Sequence, residues 1–483
     1  MRCLRTTGLT LALGLALGSL ALASTARAVP VLEKDNHTVN IDGSLKAFIF
    51  GMYFPFHPES VRGALGLGSL DYGGMGVGDF RLKLEGEHHE KWKWQIHFRT
   101  SPQVSSFPGA LGALTMAGGA NPARSLPLQG TAPNGSRFTW RHELDRLAVS
   151  YRAGKVDIIL GRQPISFGVG FVWKPADLVG TFSPTEVDGE YKPGVDALRV
   201  NIALGDFTEL ALVAAFGGPT CTSNRLPSGR SCEGYDPQFN VEHSVAVARF
   251  RTNVKSVDFG VLTGWVRGDV VAGFFVTGAV KNFRIRSEVV YTWDVQEDGP
   301  DPDRTDWTGW NPLTDRFYAG RGNPQKKDDH FVRAIFGVDY KFDTKKFLNV
   351  LAEIYYNGFG RLHAKDYLAI LQKPRVAEFG EVFNTGILYA ALGVNWEPHY
   401  KLPLSLVFMG NLLDPSMFIN ATLTYKVGNE SILVAGAMIP IGRTPALGTL
   451  AELADNDPTN DLKIKSEYGL YPLVFYVQWK MYF

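Results

Sequence analysis

Apolar and polar residues alternate along most of this chain, and the alternation is cleanest at its end. Leu473, Phe475, Val477, Trp479, Met481 and Phe483 fall on one face of a strand and Gln478 and Lys480 on the other, the period-two signature of a strand between two environments. Chain ends usually fray, so a terminal strand this apolar must be paired and covered along its length. Pairing it with the first strand, near residues 40–50, would close a barrel.

The same alternation predicts strands near 38–54, 77–88, 91–100, 143–152, 155–163, 195–204, 207–216, 243–252, 257–267, 270–280, 283–295, 330–342, 348–357, 385–397, 402–411, 416–426, 431–441 and 466–483. That is about eighteen strands, with sixteen as the other count the pattern allows. The joints between them alternate between long (55–76, 101–142, 164–194, 217–242, 296–329, 358–384, 442–465) and tight, as at His88-His89-Glu90 and Gly205-Asp206. Long connections on one side and short on the other describe an antiparallel barrel in an outer membrane. Two joints that should be long, 268–269 and 412–415, are short. The most apolar stretch, 257–280, is broken by Arg267-Gly-Asp269 and by glycines, leaving pieces far shorter than the roughly 20 residues a spanning helix needs. The fold expected is all-β, a single transmembrane antiparallel barrel.

At the N-terminus, Arg2 and Arg5 precede an apolar run, and Ala26-Arg27-Ala28 offers a small-x-small cleavage pattern. Residues 1–28 therefore read as a signal peptide, 29–37 as a short periplasmic segment and 38–483 as the barrel. Removing Arg2, Arg5 and Arg27 takes the formal charge from +1 to −2, without the basic excess of a nucleic-acid binder. A mean hydropathy of −0.06 and 52 glycines suit a barrel whose two faces average out. In an oxidising compartment Cys221 and Cys232, flanking a polar stretch, read as one disulfide.

The cleavable signal, the hairpin series and the terminal Phe483 resemble bacterial outer-membrane porins over essentially the whole mature chain. Leu160-Gly-Arg-Gln163, with Phe167-Gly168 and Pro175-Ala-Asp177 after it, is similar to a strand end and loop found in several porin and alginate-export-type barrels. The resemblance implies outer-membrane lipid as surroundings, small hydrophilic solutes as permeants, barrel assembly guided by Phe483, and a homotrimer as one available assembly.

Strand faces turn Arg81, Lys83, Glu85 and Glu87 inward, then Lys93, Gln95, His97 and Arg99, then Arg199, Arg249, Arg251, Arg284, Arg286, Glu288, Arg333, Asp339 and Glu353. A charge facing lipid at mid-bilayer costs roughly 2–4 kcal/mol, so these side chains face water. The interior expected is polar with a modest basic excess, which makes Arg81, Lys83, Lys93, Arg99, Arg199, Arg249, Arg251, Arg284 and Arg286 the candidate selectivity residues. In general porins, which the chain resembles, the third external loop narrows the lumen. Here that connection, 164–194, carries Phe171, Trp173, Lys174, Asp177, Glu186, Asp188 and Glu190. Its acids facing a basic wall would set a transverse field.

Other chemistry is weaker. His88-His89 reads as a surface feature of a tight turn rather than a metal pair. The loop acids Asp298, Asp301, Asp303, Asp306, Asp455, Asp457 and Asp461 lack calcium-loop spacing, and neither a nucleophile elbow nor a phosphate loop is present, so no enzyme activity, cofactor or metal is expected. Trp92, Trp94, Trp265, Trp293, Trp396 and Trp479 read as interface anchors. The leading reading is a passive channel for small hydrophilic solutes with mild anion preference. A substrate-specific channel for carbohydrate, a phosphate-bearing solute or exported polysaccharide is the second reading, with Phe48 and Phe50 starting an aromatic slide if they face inward. A loop-sealed structural or adhesive barrel is the third.

Overall fold

A computed structural model describes the chain outside residues 1–28, 35, 55–70, 107–122, 135–136, 181–182, 184–185, 219–239, 294–329, 372–373, 378 and 448–461. Eighteen antiparallel strands form its wall. They are β1 His37–Tyr53, β2 Tyr72–His88, β3 Trp92–Ser105, β4 Phe138–Ala153, β5 Val156–Gln163 and β6 Val195–Gly205. The next six are β7 Thr208–Gly217, β8 Asn240–Val254, β9 Val257–Val266, β10 Asp269–Val280, β11 Phe283–Trp293 and β12 His330–Lys341. The last six are β13 Leu348–Asn357, β14 Leu388–His399, β15 Leu402–Asn411, β16 Ser416–Lys426, β17 Ser431–Ile441 and β18 Leu473–Tyr482. Each pairs with its sequence neighbour, and β18 pairs back onto β1 from Ser44↔Tyr482 to Tyr53↔Leu473. The strand count and the closing pair both agree with the alternation.

Closure continues to the last residue. Phe483 exchanges backbone hydrogen bonds with Gly43 at 2.8 and 3.0 Å, and its ring stacks on Phe80 with centroids 6.2 Å apart. A β-carbon on Gly43 would lie 2.6 Å from the Phe483 ring, so only glycine leaves room for the terminal aromatic.

Two short strands were not legible as strands. The segment expected as a plain N-terminal extension is Val29–Lys34, antiparallel to His37–Ile41 of β1. The ten residues of β18 leave the lower part of the seventeen-residue β1 without a neighbour, and Val29–Lys34 supplies one. Likewise Gln129–Asn134 pairs with the upper part of β4, because β5 spans only eight residues against sixteen in β4. The final strand starts at Leu473 rather than 466; a 3-10 turn, Tyr468–Leu470, precedes it.

The inward and outward faces follow the alternation. Phe475, Val477, Phe274, Phe336 and Trp293 are exposed outward, the apolar band that lipid requires. Trp92, Trp265, Trp293 and Trp396 are exposed there too, whereas Trp479 is buried and donates its indole N–H to Ser431 Oγ at 3.0 Å. The interior departs from expectation: it is not polar throughout. Val213, Ala215, Val245, Val247, Leu262, Val266 and Val271 on the inner wall of β7 to β10 pack with Ile165, Phe167, Leu178 and Val179. Facing water, these side chains would be costly; they are the seat on which an inserted segment buries its own apolar residues. The Cys221/Cys232 pair, the signal peptide and the loop acids Asp298 to Asp306 and Asp455 to Asp461 lie outside the described residues.

Candidate functional site

The segment between β5 and β6 begins with a strained strand end. Gly161 has φ +119°, and a β-carbon there would lie 2.1 Å from Leu147 O, a conformation and an approach open to glycine alone. The irregularity turns Arg162 inward, fully buried, with Nε and Nη2 on the two Asp196 oxygens at 2.7 and 2.9 Å. Arg162 also donates to Leu144 O and Leu126 O at 3.1 and 2.8 Å, and Asp196 accepts from the Ser125 and Leu126 amides. This fork ties the strand end to the inward-folded stretch 123–128.

From there the chain crosses the lumen to the far wall. Glu353 on β13 accepts the amides of Phe171, Val172 and Trp173 at 2.7, 3.0 and 2.9 Å. Glu288 on β11 accepts those of Val169, Gly170 and Ala176. Arg286 donates to Val169 O at 2.8 Å and lies over the Phe171 ring. Trp173 donates Nε1 to Asn384 Oδ1 at 2.8 Å and stacks with Tyr355 at 5.3 Å. A loop cannot be buried with bare amides, and the two wall carboxylates satisfy six of them.

The segment then returns to the seam. Lys46 of β1 bonds Asp188 and Glu190 at 2.7 and 2.8 Å, and Lys480 of β18 bonds Asp188 at 2.9 Å. Tyr482 donates to Glu190 at 2.8 Å. Burial alone would raise the Asp188 and Glu190 carboxyls, but the two lysines outweigh it and hold both below the usual carboxylate range. Tyr191 is capped by Arg81 and Lys46, 4.4 and 4.8 Å from its centroid. Asp177 is paired with Lys192 at 2.5 Å, and burial, the larger effect, pulls the Lys192 ammonium down despite that partner. Lys174 is half-buried, its carbonyl accepting from the Asp177 amide at 3.0 Å.

Several candidate selectivity residues are held by acids. Arg81 pairs with Asp145, Lys83 with Asp42 at 2.7 Å, Lys93 with Glu87 at 3.0 Å, and Arg99 with Asp79 and Glu143 at 2.5 and 3.0 Å. Arg284 and Arg286 share Asp339 at 3.2 and 3.4 Å. Arg199 on β6 and Arg249 and Arg251 on β8 differ: among the described residues none has a carboxylate within ion-pair distance. They share one patch of inner wall across β7, whose facing side chains there include Ala211 and Val213. Beside this patch lies a recess of about 480 Å³ whose charged lining is Lys155, Arg199 and Arg251 against Asp157, Asp206, Glu209 and Asp258.

Phe48 and Phe50 face inward, stacked at 6.0 Å, but they are nearly covered, in a cluster with Trp173, Phe418, Tyr468 and Tyr476. Arg124, which donates to Gly194 O at 2.8 Å and pairs with Glu143 and Asp145 at 2.9 and 3.4 Å, the Arg162–Asp196 fork and the anchoring by Glu288 and Glu353 were not readable from strand alternation. The one local signal was Gly161-Arg162 at a strand end.

No protein-family model and no curated protein matches this chain. Among solved structures, OccAB1 of Acinetobacter baumannii aligns over 95% of this chain and 99% of its own at a TM-score of 0.51 and 6% identity. A BenF-like porin from Pseudomonas fluorescens Pf-5 aligns over 92% and 99% at a TM-score of 0.47 and 8% identity. The likeness to OccAB1 is one of fold. The chain is a closed 18-strand barrel of the porin type.

Proposed function

We propose that the chain is an outer-membrane channel through which small hydrophilic solutes diffuse passively, narrowed by 164–194 and mildly anion-preferring. It reaches the membrane after loss of residues 1–28, with Phe483 read by the assembly machinery. One observation carries the preference: Arg199, Arg249 and Arg251 stand together on the inner wall with, among the described residues, no carboxylate in ion-pair contact, Glu209 being only the cross-strand neighbour of Arg251, and rings or patches of charge select permeants by sign. The preference is mild because Arg81, Lys83, Lys93, Arg99, Arg284 and Arg286 are neutralised by acids.

Single-channel recording in a KCl gradient tests it. The reversal potential should report chloride as the more permeant ion, and replacing Arg199, Arg249 and Arg251 by Gln should move it towards zero. Clear cation selectivity of the unaltered protein would sink the reading, and absence of any conductance would favour a sealed barrel. A substrate-specific channel is favoured by the recess of about 480 Å³ beside these arginines, where the carboxylates Asp157, Asp206, Glu209 and Asp258 balance Lys155, Arg199 and Arg251 and suit a neutral polar solute such as a carbohydrate. Saturable block of the current by such a solute would establish it.

The pH dependence has a definite sign. Burial first, and the nearby Asp188 second, push the Glu186 carboxyl up to about 8. It is mainly protonated at pH 7 and charged at pH 9, so raising the pH adds a negative charge to the constriction. Anion preference should fall across that interval, and Glu186→Gln should remove the step. An unchanged step in the variant would assign it to another group.

A further inference from the structure

We infer that His37, His88 and His89 form a binding site for one borderline divalent transition-metal ion, zinc, nickel or copper(II), on the outer face of the barrel at its tight-turn rim. Adjacent histidines in a turn are weak evidence for a metal. Strand pairing changes that by bringing a third imidazole from 51 positions away: β1 and β2 put His37 directly opposite His88. One coordinating atom from each of the three lies within 4.8 Å of the others. The His37 and His88 rings stack at 4.0 Å, and His88 and His89 meet at 4.2 Å. Nitrogens around tetrahedral zinc sit about 3.3 Å apart for Zn–N bonds of 2.0–2.1 Å, so the stacked His37 and His88 rings must rotate out of their stack for their lone pairs to converge on one ion.

The backbone is arranged to hold them there. Asn36, His89 and Glu90 all adopt positive φ (64°, 50° and 56°) without being glycine, in two facing turns that must each bear that strain. The turns are joined by His89 N–H to Asn36 O at 3.0 Å, and the Asn36 carboxamide nitrogen lies 3.4 Å from His89 Nδ1. As placed, that amide donates to Nδ1, which leaves the ring proton on Nε2; a half-turn of the Asn36 carboxamide puts its oxygen on an Nδ1–H and frees Nε2 for a metal. His37 and His89 are exposed, so an ion can enter from solvent. Three imidazoles without thiolate or carboxylate suit zinc, nickel or copper rather than calcium or magnesium. His37 and His88 lie on the face opposite Thr38 and Glu87, so the site is outside the lumen and does not depend on conduction.

The test is calorimetric titration of the full chain in detergent micelles with zinc chloride and nickel chloride, with calcium chloride as the control ion. One equivalent of zinc should bind at pH 7.5 and calcium should not. Each of His37→Gln, His88→Gln and His89→Gln should weaken zinc by about tenfold or more, and the triple variant should bind none. His399→Gln, at an exposed position on the same rim, should bind as the unaltered protein does. Lowering the pH to 5.5 should weaken binding, because neutral imidazole is the ligand. Retained migration of the unheated barrel on a gel certifies that each variant is folded, so lost binding reads as lost ligands. No saturable zinc binding, or an unchanged equivalent in the triple variant, would overturn the proposal whatever the channel conducts.

Discussion

Replacing Glu288 and Glu353 together by alanine should raise single-channel conductance by about twofold or more, with a noisier open level, because the crossing segment is freed from the far wall. The two carboxylates accept the amides of Val169, Gly170, Phe171, Val172, Trp173 and Ala176. Hydrogen bonds to a charged group are worth roughly 1.5–3 kcal/mol each, and amides left buried without partners cost a similar amount. Against these losses there remain the apolar contacts of 167–176 and the bonds of Arg286 to Val169 O and of Trp173 to Asn384, so the segment should loosen from its seat. The seam contacts of Lys46 and Lys480 with Asp188 and Glu190 are untouched by the change, so the segment stays attached at its other end and the barrel stays closed. The double variant should therefore fold and still differ in conductance. Current unchanged in amplitude and noise would show that 164–176 does not set the narrowest section.

The wall was legible because lipid outside and water or polar partners inside impose a period of two. Arg81, Lys83, Glu85 and Glu87 could be assigned a face from sequence alone, and the register of β2 with β3 pairs them with Arg99, His97, Gln95 and Lys93. What alternation could not tell was which inner positions meet water and which meet protein. Val213, Val245 and Val247 obey the same pattern as Arg199 and Arg251, yet they are covered, because the inserted segment creates a second interior inside the barrel. Strand Gln129–Asn134 shows no alternation, being determined by the unpaired edge of β4 above the short β5. The His37, His88 and His89 cluster was invisible for a different reason. Cross-strand register, not spacing, joins its members, and only Lys34↔His37 and His37↔His88 pairing together place that turn.

Arg162→Ala should be the most destabilising single change at this site, by about 3–5 kcal/mol, since it leaves the buried Asp196 carboxylate without its counter-charge. The loss has two sources. Asp196 would keep the amides of Ser125 and Leu126 but lose both guanidinium bonds, and the carbonyls of Leu144 and Leu126 would lose their donor. Adding Asp196→Asn should recover part of that loss, because a neutral amide is cheaper to bury than an unpaired carboxylate. If Arg162 served only as packing bulk, Asp196→Asn would instead add its own cost to that of Arg162→Ala. Urea unfolding of the micelle-held barrel, followed by loss of heat-modifiable migration, measures both variants. A single-variant cost below about 1 kcal/mol, the range of solvent-exposed pairs, would mean that water reaches the fork. The same fork secures 123–128 and the start of the crossing segment, so the variant's remaining folded channels should also gate more often. Stability and gating then change together in Arg162→Ala, whereas the loss of Glu288 and Glu353 changes conduction first.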